Sequence, residues 1–175
     1  MEKREHIFLI VAKSGAGKDY ICDKICDSFN LSRVISRTTR KSRGANDKHI
    51  FVSEEQADIE YNRAVAKTLF NQHRYYVLEE DIVGKDLYIV DTKGVESLKK
   101  TDIIDCTTIY IDTSWYIRMK HMRRRGDSWI NVIGRLLHDR KAFKGLEADI
   151  IVKRSDDVFN LFRLLHYVED RRKNV

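Results

Sequence analysis

The chain has 175 residues, 42% of them hydrophobic and 34% charged, with a formal charge of +6. This length suits one compact domain with a real core, and this balance excludes an intrinsically disordered chain. No apolar run approaches the ~20 residues of a membrane span, and no proline, Gly/Ser linker or repeat divides the sequence.

The first expected element is a buried strand over residues 6–12, built on Ile7-Phe8-Leu9-Ile10-Val11-Ala12. It runs into Lys13-Ser14-Gly15-Ala16-Gly17-Lys18-Asp19. Glycines let backbone N–H groups turn onto one anion, the lysine adds a charge, and a following helix aims its positive end at the same point. The stretch from Ala12 to Asp19 therefore reads as a phosphate-binding P-loop with two departures. Ala12 takes the first glycine position of G-x-x-x-x-G-K-[ST], which costs little if its φ is negative. Asp19 takes the place of the hydroxyl that normally holds Mg²⁺. A carboxylate facing phosphates is tolerable only with a cation between them or if it points away.

A helix follows over 18–29, with Ile21, Ile25 and Phe29 on one face, and then a short strand over 31–35. Residues 36–86 are more polar and less regular, although Ser53 and Gln56 form a capping-box pattern that opens a helix. Leu87 to Val90 is a strand ending at Asp91, with Gly94 in a turn and a helix to about Lys100. A strand over 107–111 precedes two basic helical segments within 114–144, broken near Gly126-Asp127. A strand over 149–152 and an amphipathic helix carrying Val158, Leu161, Phe162, Leu165 and Val168 close the chain. Strands alternating with helices predict an α/β fold with a parallel sheet, and ligands bind beyond the carboxyl ends of such strands. The P-loop, Asp91 and Thr113 fall at those ends. The expected organisation is one domain over 1–175, with a core of 1–35, 87–113 and 145–175, an acceptor-binding insertion over 36–86 and a lid over 114–144.

Ser36-Arg37-Thr38-Thr39-Arg40-Lys41-Ser42-Arg43 supplies a second anion site. Arg40 and Arg43 are spaced to reach one anion, arginine binds phosphate with a planar fork, and Ser36, Thr38 and Thr39 add hydroxyls. In the basic cluster Arg123-Arg124-Arg125, Arg125 is a candidate, together with Arg135, to stabilise charge during phosphoryl transfer. Arg123 and Arg124 read as solvated surface. Asp91 reads equally as an anchor for Mg²⁺ and as a turn or cap residue. The six histidines pair with no serine or cysteine in a hydrolase arrangement, so no histidine base is assigned. Cys22, Cys26 and Cys106 lack zinc spacing and suit reduced thiols of a cytoplasmic protein, and Met1-Glu2-Lys3-Arg4-Glu5 reads as no signal peptide. The positive charge concentrates at the candidate phosphate sites. The expected partner is a phosphorylated small molecule, with neither nucleic acid nor membrane.

Ser14-Gly-Ala-Gly-Lys18, Ser36-Arg-Thr-Thr-Arg40 with Arg43, Phe51-Val52-Ser53, Tyr75-Tyr76, Asp91 with Gly94-Val95, Arg125-Gly126, Arg135-Leu136 and Asp149-Ile-Ile-Val152 follow in order along nearly the whole chain. Together they resemble the guanylate kinase family. The resemblance implies a P-loop kinase fold with a parallel core, an acceptor-binding insertion and a helical lid. It implies ATP-dependent phosphorylation of a nucleoside monophosphate (GMP + ATP to GDP + ADP), with ATP and Mg²⁺ as cofactors. Lys18 would touch the ATP phosphates. Arg40, Arg43 and either Tyr75 or Tyr76 would clamp the acceptor phosphate. Arg125 and Arg135 would close from the lid, and Asp19, with Asp91 as second anchor, would hold the cation.

The chain departs from the family where the base is read. The family's glutamate before its Tyr-Gly-Ser/Thr segment has no counterpart in Ala66-Lys67-Thr68-Leu69-Phe70, and Val77-Leu78 follow the tyrosines. His49 and Lys153 replace a family tyrosine and asparagine. A site that hydrogen-bonds a base loses discrimination when those partners go. Lys-Asp in place of Lys-Ser/Thr is also seen in the related ribose 1,5-bisphosphate phosphokinases. A sugar-phosphate acceptor, or a catalytically weak phosphate-binding module, therefore stands beside GMP phosphorylation.

Overall fold

The structure is a computed structural model that describes residues 6–42, 44, 47–70, 72–101 and 104–173. In chain order the elements are β1 (His6–Ala12), α1 (Lys18–Phe29), β2 (Arg37–Thr38), β3 (Ile50–Phe51), α2 (Glu54–Glu60), β4 (Ala66–Phe70), β5 (His73–Val77), α3 (Glu79–Ile82), β6 (Leu87–Ile89), α4 (Thr92–Lys99), β7 (Asp105–Ile111), α5 (Trp115–Arg124), α6 (Trp129–Ala142), β8 (Ile150–Val152) and α7 (Ser155–Lys173). The expected α/β fold with a parallel sheet is present: four strands lie in the order β6-β1-β7-β8, and β7 pairs in parallel with β8 from Ile109↔Ile150 to Ile111↔Val152. Ile7, Leu9, Ile10, Val11, Leu87, Ile109 and Ile111 of these strands are buried. Such near-continuous apolar runs are what strands covered on both faces require. No helix among the described residues is long and apolar enough to cross a membrane.

The chain divides into two compact units, Met1–Leu9 with Ser32–Cys106, and Ile10–Leu31 with Thr107–Val175. The division groups the segment 114–144 with the P-loop and α1, and the segment 36–86 with β6 and α4. In the unit containing α1, Ile21, Cys22 and Ile25 are buried, and Phe29 packs against Phe159 and His166 of α7 with ring centroids 5.3 and 5.5 Å apart. The three cysteines form no disulfide.

The other unit carries a sheet that the sequence pattern does not show, in the order β3-β2-β5-β4. β4 and β5 form an antiparallel hairpin from Ala66↔Val77 to Phe70↔His73, and β2 adds to β5 through Arg37↔Tyr76 and Thr38↔Tyr75. Its small core is Ala57, Tyr76 and Leu78, with Val52, Tyr61 and Ala64 packed against it. A part-buried polar network ties β2, β5, α2 and α3 together. Arg37 donates Nε and Nη2 to Asp81, both at 2.8 Å, and Nη1 to Glu60 at 3.3 Å. Tyr76 donates its hydroxyl to Glu60 at 2.8 Å, and Gln56 donates Nε2 to it at 3.0 Å.

Two local expectations are corrected. No strand forms over 31–35: one parallel bridge joins Arg33 to Leu87. The Val34 N–H donates to the Leu87 carbonyl at 2.7 Å and the Asp86 N–H to the Ser32 carbonyl at 3.0 Å. The Asp86 carboxylate accepts from the backbone N–H and the hydroxyl of Ser32 at 2.8 and 2.9 Å, so the pairing is a short contact that side-chain bonds reinforce. Gly94 lies within α4 and not in a turn before it. Ser53 does cap α2, accepting from the Gln56 N–H at 3.2 Å, while the Gln56 side chain turns to Glu60.

Burial opposes ionisation of Asp81, but the hydrogen bonds and charge of Arg37 outweigh it and hold this carboxyl below its ordinary range. Glu60 is likewise lowered against its burial by Gln56, Tyr76 and Arg37. A carboxyl lowered by folding adds stability above its unfolded pKa, of about 4, that is lost as pH falls through the folded value. Asp81→Ala is expected to destabilise the protein by about 1.5–3 kcal/mol at neutral pH. Urea midpoints at neutral pH and below pH 4 should show a smaller deficit in acid.

Candidate phosphate-binding sites

The loop after β1 turns through an Ala16 N–H to Lys13 carbonyl bond of 3.2 Å, and α1 opens at Lys18. Gly15 and Gly17 have φ of 79° and 88°, which only glycine adopts without strain. Gly15 is also held close: a Cβ there would lie 2.6 Å from the Arg118 carbonyl oxygen and 3.0 Å from Met122 Cγ. Ala12 is outside the left-handed region, which among described non-glycine residues holds Asn30 and Gln72. The missing first glycine therefore costs no backbone strain. Lys18 Nζ stands 3.6 Å from the Asp19 carboxylate, and Asp19 is 70% exposed. Lys13 instead faces Asp112 at 3.6 Å, over the Tyr110 ring.

Asp139 on α6 is a residue the sequence reading missed. Its Oδ2 accepts from the Ser14 N–H at 2.9 Å and from Arg118 Nη1 at 2.8 Å, and its Oδ1 accepts from the Ser14 hydroxyl at 3.2 Å. Arg118 and Asp139 are only 3% and 4% exposed. A charge this deep persists because it is paired. His121 Nδ1 lies 2.9 Å from the Gly15 carbonyl oxygen. The α5–α6 segment is thus bonded to the P-loop at two successive residues. No signal in the sequence marks this, since a buried ion pair has no periodicity.

Arg125 donates Nε and Nη2 to Asp127 Oδ2 at 2.8 and 2.6 Å and is half exposed. Arg135 is half-buried on α6, without a hydrogen bond or ion pair to any described residue. Arg123 stacks over Trp129, with Cζ 4.7 Å from the ring centroid.

In the other unit, Arg40 is buried and nearly saturated. It donates Nε to the Tyr75 hydroxyl at 3.0 Å, Nη1 to the Lys41 carbonyl and Asp47 Oδ2, both at 2.8 Å, and Nη2 to Asp47 Oδ1 at 3.1 Å. The Asp47 hydrogen bonds, opposed by burial and aided by Tyr75, raise its pKa further. His49 Nδ1 meets the same Asp47 Oδ1 at 2.8 Å. Of the two tyrosines, Tyr75 shares this neighbourhood, whereas Tyr76 is buried on Glu60. The Ser36 and Tyr88 hydroxyls are 3.3 Å apart. Arg43 lies outside the described residues.

Asp91 caps α4, its Oδ1 accepting from the Gly94 N–H at 2.8 Å. A Cβ on Gly94 would run into Val90 Cγ2. Lys67 Nζ donates to the Tyr61 carbonyl at 3.2 Å and lies over the Tyr61 ring, and Val77 and Leu78 are buried. No group of three or more metal-binding side chains exists among the described residues. Mg²⁺ beside a polyphosphate needs only one or two carboxylates, and Asp19, exposed in the first turn of α1, fits that requirement.

Gly84 shares a positive φ, 70°, but a Cβ there meets nothing within 4 Å. Gly84→Ala is expected to cost about 1 kcal/mol from its backbone alone. Gly15→Ala is expected to cost about 1–3 kcal/mol more through overlap with Arg118. Urea denaturation of the two variants side by side measures the difference.

No protein-family model matches the sequence, and no curated protein matches it. Solved structures do. A guanylate kinase from Anaplasma phagocytophilum superposes with a TM-score of 0.64 at 17% identity, over 95% of this chain and 88% of that one. An uncharacterized protein from Eubacterium ventriosum superposes with a TM-score of 0.50 at 12% identity, over 96% and 99%. At these identities the likeness is one of fold: the chain has the α/β architecture of a guanylate kinase.

Proposed function

We propose that the protein transfers the terminal phosphoryl group of ATP to a phosphorylated small molecule, with GMP the first candidate acceptor (GMP + ATP to GDP + ADP). The observation that carries this reading is the left-handed Gly15 and Gly17 pair leading to Lys18 at the start of α1. Its fold likeness to a guanylate kinase supports it. An acceptor phosphate oxygen forms the new P–O bond as the bond to ADP breaks, and ADP leaves. The loop N–H groups and Lys18 stabilise charge on the donor phosphates. Mg²⁺, when bound, would neutralise phosphate charge, and Asp19 is the side chain beside Lys18 that would hold it. Arg40, Arg43 and Tyr75 hold the acceptor phosphate. Arg135, and Arg125 once it leaves Asp127, supply positive charge to the transferring group.

A specific observation favours an acceptor without guanine. Lys67 stands in β4 where the resemblance calls for a base-reading carboxylate, and the buried Val77 and Leu78 offer no side-chain polar group. Ribose 1,5-bisphosphate is the alternative acceptor of this class, and a catalytically weak phosphate-binding module is the alternative with little turnover.

Lys18→Ala is expected to abolish ADP release while leaving the circular dichroism spectrum unchanged. Arg40→Ala is expected chiefly to raise the acceptor KM, whereas Arg135→Ala lowers kcat by about 10³-fold or more. One kinetic signature in both arginine variants would refute the division of roles. Across a panel of GMP, dGMP, other nucleoside monophosphates and ribose 1,5-bisphosphate, GMP is expected to be a poorer substrate by kcat/KM than the resemblance to guanylate kinases implies. A dominant preference for GMP would refute the argument from Lys67, and no ADP release with any acceptor would refute the enzyme reading.

A further inference from the structure

We propose that Asp139 is the positioning residue that seats α6 on the P-loop and thereby brings Arg135 to bear on a bound polyphosphate. This inference rests on the reading of residues 14–19 as a phosphate site and deepens it by assigning the coupling of loop and helix to one carboxylate.

Three observations carry it. The Asp139 carboxylate accepts from both donors of Ser14, the N–H at 2.9 Å and the hydroxyl at 3.2 Å, so this bond fixes the loop's backbone and not only a side chain. Ser14 is thereby turned toward the protein, and the cradle for an anion is left to the N–H groups that follow it. The second observation is electrostatic. A lone carboxylate beside a polyphosphate would repel it, but Arg118 Nη1, 2.8 Å from Oδ2, makes the buried pair neutral overall. The pair can therefore support the loop without opposing its ligand. Arg118 Nε is buried without a partner among the described residues, a polar cost that the Asp139 bond has to offset.

The third observation is helical spacing. Arg135 precedes Asp139 by four residues on α6, and such residues share a helix face. Asp139 points at Ser14, so Arg135 lies on the same face, one turn away. It is the cation that α6 leaves unpaired there among the described residues, whereas Arg125 is held by Asp127. A misplacement of ~1 Å can cost about a hundredfold in rate, so the device that sets the register of α6 against the loop governs what Arg135 contributes.

A double-mutant cycle on the full chain tests this, read by calorimetric binding of tripolyphosphate without metal. Arg135→Ala is expected to weaken binding about tenfold in the parent and less than twofold in an Asp139→Asn background, because Arg135 is already displaced there. Ser14→Ala, which removes only the hydroxyl contact and keeps the Arg118–Asp139 pair, is expected to reduce the Arg135 effect to about threefold. It decides the matter if Asp139→Asn does not fold. Equal Arg135→Ala effects in parent and variant backgrounds would show that Asp139 acts on stability alone and overturn the proposal. A parent protein that binds no tripolyphosphate would overturn the phosphate-site reading itself, a distinct result.

Discussion

Arginine–carboxylate pairing, carried below the surface, is the constraint on which both halves of the molecule depend. Removing two charges from water is unfavourable unless each finds the other with good geometry, and breaking such a pair strands a charge in a poorly polarisable interior. Arg118–Asp139 is the deepest case, and it meets the loop after β1 at Ser14. Arg37 with Asp81 and Glu60 does the same for a sheet whose β2 and β3 are two residues long. Strands that short have few ladder bonds, so side-chain bonds must fix their place. Directional contacts here set position where apolar burial alone would leave it loose.

The same chemistry bears on the proposed acceptor clamp. Arg40 meets Asp47 with both terminal nitrogens and Tyr75 with Nε, leaving one Nη2 proton uncommitted among the described residues. The arginine most readily read as a phosphate clamp is thus already satisfied by a carboxylate of its own chain. An incoming anion has to exchange with Asp47 or bind beside it. Buried aliphatic side chains at Val77 and Leu78 leave the neighbouring strand end with backbone polarity only.

What could be read in the sequence was what depends on near neighbours. The P-loop follows from the eight consecutive residues Ala12 to Asp19, α1 from the spacing of Ile21 and Ile25, and the break between α5 and α6 from Gly126. The sheet β3-β2-β5-β4 was not legible. β5 is His73-Arg74-Tyr75-Tyr76-Val77, with no clean alternation of polarity, and its turn places Gln72 at φ 64° where a glycine would have announced a hairpin. Asp139 and Asp47 were invisible for another reason. Each is a lone acid in a charged stretch, and its meaning comes from a partner that the fold supplies. Asp91 had two readings of equal standing, and its bond to the Gly94 N–H supports the cap.

The bond between Ser14 and Asp139 spans 125 positions of the chain. During synthesis from the N-terminus, the loop and α1 leave the ribosome well before α6 does. Neither compact unit is one continuous segment, and the excursion Ser32–Cys106 is made before the second can be completed. The glycine loop therefore waits through 125 further residues of synthesis for the carboxylate that fixes it. Closing so long a loop is slow compared with local helix formation. A nascent chain truncated before α6 would carry every residue of the P-loop motif and none of the support that α6 gives it.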